Sequence, residues 1–308
     1  MRISYSAPAK AIISGEHAVV YGKLALVTTL HMRLQFSVWE GTIEIKDPNI
    51  LRIDAIVKKY LKEKRINFTN KPFSFAIEST IPVGRGLGSS AALSVTAVAA
   101  LLTFYTARAF SKKIINDLAF EVEKYFHQNP SGVDNTASCF GGLLSYRKNM
   151  ELDFLDFPQP LKIQENLLLI DSGKPEEKTA EMVNLVKKMS DQNPFYLQQI
   201  LEEIESTTFL FKTALAEDNL DLFKTGIEKN EMLLEKIGVV SKETKKLLTH
   251  LFKFGVGKIT GAGGSKGNSG FILFLTTGED KEQLTAYLKK QKINFYKFTP
   301  DNKGLIKL

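Results

Sequence analysis

No charged side chain stands anywhere between Gly86 and Ala107. A run this long must leave water, either into a bilayer or into the interior of a protein. Its residues are mostly Ser, Thr, Gly and Ala rather than Leu and Ile, and nothing similar recurs along the chain. That composition predicts a helix buried in a protein core rather than a membrane span. A helix covered on all sides needs a large core around it. The chain of 308 residues, 44% hydrophobic and 24% charged, has the material to build one. This length is more than a single core usually serves, so two packed domains are expected, with one large α/β domain as the alternative.

The segment just before this helix is Pro82-Val83-Gly84-Arg85-Gly86-Leu87-Gly88-Ser89-Ser90-Ala91-Ala92, set between a strand pattern and the helix. Glycines let the backbone adopt positive φ and approach a ligand closely, while first-turn amides and the helix dipole attract an anion. A tight strand-to-helix turn would also use glycines. The adjacent hydroxyls of Ser89 and Ser90 favour the phosphate reading, one suited to capping the helix and the other to holding a magnesium ion. No Gly-Lys-Ser/Thr follows the glycines, so this is not a Walker loop, and its spacing is not that of a dinucleotide fingerprint.

The order of elements predicts an α+β architecture. Short β-type runs occupy 12–14, 24–29 and 34–39, a helix covers 50–65, and FSFAIES at 73–79 alternates like a strand. Helices follow from about Leu87, from Ser111 to Phe126, and from near Ser131, before a strand at LLSYR. A strand at 166–173 opens a helix-rich second half, with helices at 177–190, 194–216, 219–236, 241–254 and 279–291 and short strands at KITG, GFILFL and NFYKF. The domain boundary is placed just before that strand, giving domains of 1–165 and 166–308.

A net charge of +7 favours contact with anions, yet the lysines are interleaved with acids and no basic-aromatic ladder suggests nucleic-acid binding. The single cysteine, Cys139, cannot form an internal disulfide, and one thiol with four scattered histidines makes no zinc pattern. With no apolar signal-peptide core at the N-terminus, a cytoplasmic protein without a membrane partner is expected. The sequence is compatible with a homodimer.

Three further segments carry side chains suited to chemistry. Ser6-Ala7-Pro8-Ala9-Lys10 precedes Gly15-Glu16-His17-Ala18-Val19-Val20-Tyr21-Gly22. Alone, Lys10 reads as a solvated charge and His17 as a structural histidine. His127-Gln128-Asn129-Pro130-Ser131-Gly132-Val133-Asp134-Asn135 puts a carboxylate in the first turn of a helix that Ser131 is placed to cap, where the dipole alone would favour it. Lys258-Ile259-Thr260-Gly261-Ala262-Gly263-Gly264 begins a second glycine loop.

Taken in order, these motifs resemble those of the GHMP kinases, and PVGRGLGSSAALSV and GEHAVVYG resemble the mevalonate kinase branch most. The resemblance implies the two-domain α+β GHMP kinase fold, with a ribosomal-protein-S5-like α/β domain followed by a ferredoxin-like helix-rich domain. It implies ATP-dependent phosphorylation of the primary alcohol of mevalonate. By the same resemblance Asp134 is the catalytic base and Lys10 the active-site lysine. Gly84, Gly86, Leu87, Gly88, Ser89 and Ser90 hold the ATP phosphates with Gly263 and Gly264. Ser90 and Glu123 hold Mg2+, and Glu16, His17 and Thr179 lie near the mevalonate. Other GHMP kinases and a non-catalytic ligand sensor are the rival readings; a sensor is expected to lose a catalytic residue, whereas Lys10, Ser90, Glu123 and Asp134 are all present. Two departures from the family pattern stand out. Thr179 falls one residue late after Asp171-Ser172-Gly173-Lys174-Pro175, and a longer Ser265-Lys266-Gly267-Asn268-Ser269 run replaces the usual glycines after Gly264.

Overall fold

A computed structural model describes residues 2–41, 45–127, 130–148, 153–155, 162–276 and 280–308. The chain opens with two long antiparallel strands, β1 (Ile3–Ser14) and β2 (Ala25–Glu40), where short runs were expected. The reason lies at Pro8, which has no N–H to donate to a ladder. Between Pro8 and Ala9 the partner jumps from Arg33 to Leu30, and this bulge interrupts the alternation that marks a strand in sequence.

Helix α1 (Pro48–Glu63) is capped by Asp47, whose carboxylate accepts the amides of Asn49 and Ile50. It buries Ile50, Ile53, Val57 and Leu61. Strand β3 (Phe73–Ser79) then pairs with the outer half of β2. The uncharged segment forms α2 (Ser89–Thr106), which is 78% buried and lies across β1 and β2 between α1, α3 (Lys112–His127) and α4 (Val133–Phe140). Its small residues allow these close approaches. Because every face is covered by protein, the helix needs no polar stripe.

The first sheet is completed by β4 (Leu143–Tyr146) and β5 (Asp153–Leu155). After the short α5 (Lys162–Glu165), strand β6 (Leu167–Asp171) begins the second sheet. Helices α6 (Thr179–Gln192), α7 (Pro194–Ala216), α8 (Leu220–Lys236) and α9 (Lys242–Leu251) follow. The chain then passes through β7 (Gly255–Thr260), β8 (Phe271–Thr276), α10 (Lys281–Lys290) and β9 (Phe295–Lys297). The four strands are antiparallel in the order β7-β8-β6-β9.

The last strand departs from a simple division at residue 165. β10 (Ile306–Lys307) returns to the first sheet and pairs with β1. Asp301 anchors this return: Arg33 and Thr29 bond to its carboxylate and its carbonyl, and its own amide donates to the Thr29 carbonyl at 3.0 Å. The main hydrophobic core likewise joins residues of both halves, from Ile3 and Val98 to Phe211 and Phe271.

Candidate active site

A cavity of about 610 Å³ opens where the glycine loop, the start of α4 and the loops of the second half converge. Its lining includes Lys10, His17, Gly84, Gly86, Leu87, Gly88, Ser89, Ser90, Glu123, Asp134, Thr179 and Gly263. Glu16 and Gly264 are not on its surface. Gln128 and Asn129 of the aspartate motif lie outside the described residues.

The glycine loop is shaped by close approaches on both sides. Gly84, Gly86 and Gly88 all have positive φ, of 71°, 89° and 75°. A Cβ on Gly86 would stand 2.7 Å from the Thr260 carbonyl oxygen, and one on Gly88 would stand 2.8 Å from the Lys10 side chain. Any larger residue would therefore push the second glycine loop or the lysine away. Gly88 is also the N-cap of α2, so neither serine caps the helix as the sequence suggested. With no side-chain cap on them, the first-turn amides can meet an anion.

Lys10 sits beneath this loop. Its backbone N–H donates to the Leu87 carbonyl at 3.0 Å, which fixes β1 against the loop. Its ammonium lies 3.0 Å from Asp134 Oδ1, with the lysine side chain 2% exposed and the aspartate 34% exposed. Asp134 is held in the first turn of α4, which starts after Gly132 in the left-handed region. Ser131, expected as the cap, instead accepts the Val133 amide at 3.3 Å. The buried ammonium thus sits against one oxygen of a carboxylate that stays partly open to the cavity.

Glu123 of α3 faces the same pair. Ser94 Oγ donates to its Oε1 at 2.8 Å, and burial pushes its carboxyl up to about 8, with the Asp134 charge adding to the rise and Lys10 opposing it. Ser90 is the other expected metal ligand on the cavity wall.

His17 adopts a φ of 59°, and its Nε2 lies 3.0 Å from the Ala262 carbonyl oxygen. Because that oxygen can only accept, Nε2 carries the proton, and burial holds the imidazole below its ordinary value and neutral. Glu16 behaves differently from the expectation that placed it near the acceptor. It is fully buried behind the cavity wall, where its carboxylate pairs with Lys258. Burial draws the Glu16 carboxyl upward and the Lys258 charge draws it back. The Lys258 ammonium also donates to the Ile259 carbonyl at 2.7 Å. Thr260 Oγ1 bonds to both the N–H and the carbonyl of Ile12, at 2.8 and 3.0 Å. Together these contacts tie β1 to β7.

The Gly264 amide, expected at the phosphates, is already engaged, donating to the Val239 carbonyl at 2.9 Å. Thr179 begins α6, lines the cavity and is exposed. Sequence reasoning assigned no role to Lys258, Ser94 or the ion pair of Arg85 with Asp171. Only Lys258 left a trace, as a charge inside a strand whose neighbours read as buried.

A glycine loop at the head of a buried helix, crossed by a lysine that reaches a carboxylate on another helix, is the apparatus of a GHMP kinase. Residues 52–142 match the family model for the GHMP kinase N-terminal domain. Mevalonate kinase from Archaeoglobus fulgidus is 30% identical, over 89% of this chain and 92% of that protein. The Pyrococcus horikoshii mevalonate kinase is also 30% identical, over 91% and 90%. The crystal structure of the Methanococcus jannaschii mevalonate kinase superposes with a TM-score of 0.78 at 25% identity, covering 98% of each chain. The chain belongs to the mevalonate kinase family.

Proposed function

We propose that this protein transfers the γ-phosphoryl group of ATP to the primary alcohol of mevalonate, giving 5-phosphomevalonate. The observation that carries the reading is the 3.0 Å contact of Lys10 with Asp134 beside a glycine loop whose helix amides have no side-chain cap. Phosphoryl transfer requires positioning, charge neutralisation and a hydroxyl relieved of its proton. The loop from Gly84 to Ser90 holds the ATP phosphates, Asp134 accepts the hydroxyl proton, and Lys10 stabilises negative charge on the attacking oxygen. His17 and Thr179, which both line the cavity, orient the acceptor in this reading.

A divalent cation fits Glu123 and Ser90. Burial disfavours the charge of Glu123, and the Asp134 charge adds to that cost, so a cation held by Glu123 and Ser90 would offset it. Among the described residues no cluster of three His, Cys, Asp or Glu side chains forms a full protein cage, as suits magnesium, which takes most of its ligands from phosphate and water. Bound there, Mg2+ supplies neutralisation of phosphate charge. The protein is read as cytoplasmic.

The test is an ADP-release assay with magnesium ATP against mevalonate, phosphomevalonate, galactose and homoserine. Mevalonate is expected to have the highest kcat/KM. Preference for phosphomevalonate or a sugar would refute the acceptor assignment.

A further inference from the structure

The two departures from the family pattern meet in space. The segment 172–177 between β6 and α6 is locked to the loop 264–270 by backbone and side-chain bonds. Ser172 donates its N–H and its hydroxyl to the Gly270 carbonyl at 3.0 and 2.7 Å, and the Gly270 N–H donates to Gly173 at 3.1 Å. Pro175 and Gly267 form a β-bridge. Glu177 accepts the Ser265 hydroxyl and, at 3.3 and 3.4 Å, the amides of Ser265 and Lys266. The longer glycine loop is thus bonded to the segment with the extra residue.

The consequence falls on Lys174. Its side chain runs from this bracket across the first glycine of the phosphate loop: a Cβ on Gly84 would lie 3.1 Å from Lys174 Cε and 3.8 Å from its Nζ. Lys174 is exposed and lines the cavity. Of the other cations lining the cavity, Lys10 is committed to Asp134 and Arg85 to Asp171, and Lys178, at the N-cap of α6, is not among the atoms nearest Gly84, which all belong to Lys174. Lys174 has no carboxylate partner among the described residues, and an ammonium with three donors on a flexible stem suits an anion held against the loop.

We propose that Lys174 is a phosphate ligand for the bound nucleotide, reaching from the second sheet to the Gly84 end of the loop and held there by the 172–177 and 264–270 bracket. Lys10 packs under Gly88, at the other end of the loop, where transfer takes place. Lys174 therefore serves the phosphates that remain with the nucleotide after transfer, and ADP should feel it as ATP does. This deepens the ATP-dependent reading above and rests on it.

The test measures the Kd of ADP with no acceptor present, and separately the KM of ATP and of mevalonate, for the unaltered chain, Lys174→Met, Lys174→Arg and Glu177→Gln. Losing a hydrogen bond from a charged group corresponds to roughly 10- to 100-fold in affinity. Lys174→Met should weaken ADP and ATP by about tenfold or more while the mevalonate KM changes less than about twofold. Lys174→Arg should recover most of the loss, and Glu177→Gln should move the same way by less, since it loosens only the bracket. Unchanged ADP affinity in Lys174→Met, or a rise confined to the mevalonate KM, would overturn the assignment. If the unaltered chain binds ADP but leaves mevalonate untouched, the acceptor reading fails while the ADP series still decides the role of Lys174. If it binds no ADP, both fail.

Discussion

Replacing Lys258 by Met should destabilise the fold far more than a surface lysine would. Both Lys258 and Glu16 have fully buried side chains, so the change leaves a buried carboxylate without its ion-pair partner. Lys258 also donates to two carbonyls, yet the Ile12 carbonyl keeps the Thr260 hydroxyl, so the loss is mainly one of charge compensation. Breaking one side of a buried pair costs about 3–5 kcal/mol, a large share of the roughly 5–15 kcal/mol that holds most domains folded. At about 2 °C per kcal/mol for a chain of this size, the thermal midpoint should fall by roughly 6–10 °C. The effect has a pH signature. Without Lys258 the Glu16 carboxyl is raised further above its unfolded value, so the native state binds the extra proton. The penalty is then absent below the unfolded carboxylate value and grows as pH rises toward the folded one. Scanning calorimetry across pH 5 to 8 on Lys258→Met, Glu16→Gln and the double variant checks this, with a coupling of roughly 2–3 kcal/mol expected between the sites. Additive effects, or a loss under about 1 kcal/mol for Lys258→Met, would show that the pair is not coupled in the way its burial requires.

Three further outcomes are expected. Asp134→Asn should lower kcat by about 10²-fold or more with the thermal midpoint and ADP affinity little changed, since Asn keeps the size and only the base is lost; near-normal turnover would exclude Asp134 as the base. Glu123→Gln should raise the magnesium concentration needed for half-maximal rate, and an unchanged magnesium titration would put the metal elsewhere. Glu231, whose carboxyl burial pushes up to about 8 beside Lys258, makes the native state lose stability as pH climbs from the unfolded carboxylate value through 8. Glu231→Gln should flatten that slope in thermal melts, and an unaltered slope would mean that the group does not titrate there.

What could be read from sequence was what local chemistry dictates. The absence of charge in α2 fixed its burial, and the glycines at 84, 86 and 88 announced a backbone with positive φ and close neighbours. The bulge at Pro8 hid the continuity of β1 and β2, because alternation is lost where the register shifts. Glu16 was placed at the substrate by the resemblance of its Gly-Glu-His motif to the family. Its partner, Lys258, is 242 positions away, and no local pattern reveals which buried cation a carboxylate will find. The capping roles of Ser89 and Ser131 failed for a related reason: a glycine in the left-handed region took the N-cap position in both helices.

These contacts explain how one cavity can draw on two sheets and remain a single geometry. The Lys10–Asp134 pair and the loop at the head of α2 belong to the first sheet and its helices, whereas Gly263, Thr179 and Lys174 arrive from the second half. Nothing about hydrophobic packing alone would hold the two in register to within a hydrogen bond, because apolar contacts are non-directional. The bonds that do so are polar and directional. Lys258 grips Glu16, Thr260 clasps Ile12, and the His17 imidazole donates to Ala262, all from the same few residues of β7 and its following loop. A buried ion pair adds little net stability compared with apolar packing, but it penalises every arrangement in which its two halves part. At this seam that penalty falls on any slippage of the second glycine loop relative to Lys10 and Gly86. The cost of burying Glu16 thus goes into the alignment on which phosphoryl transfer depends.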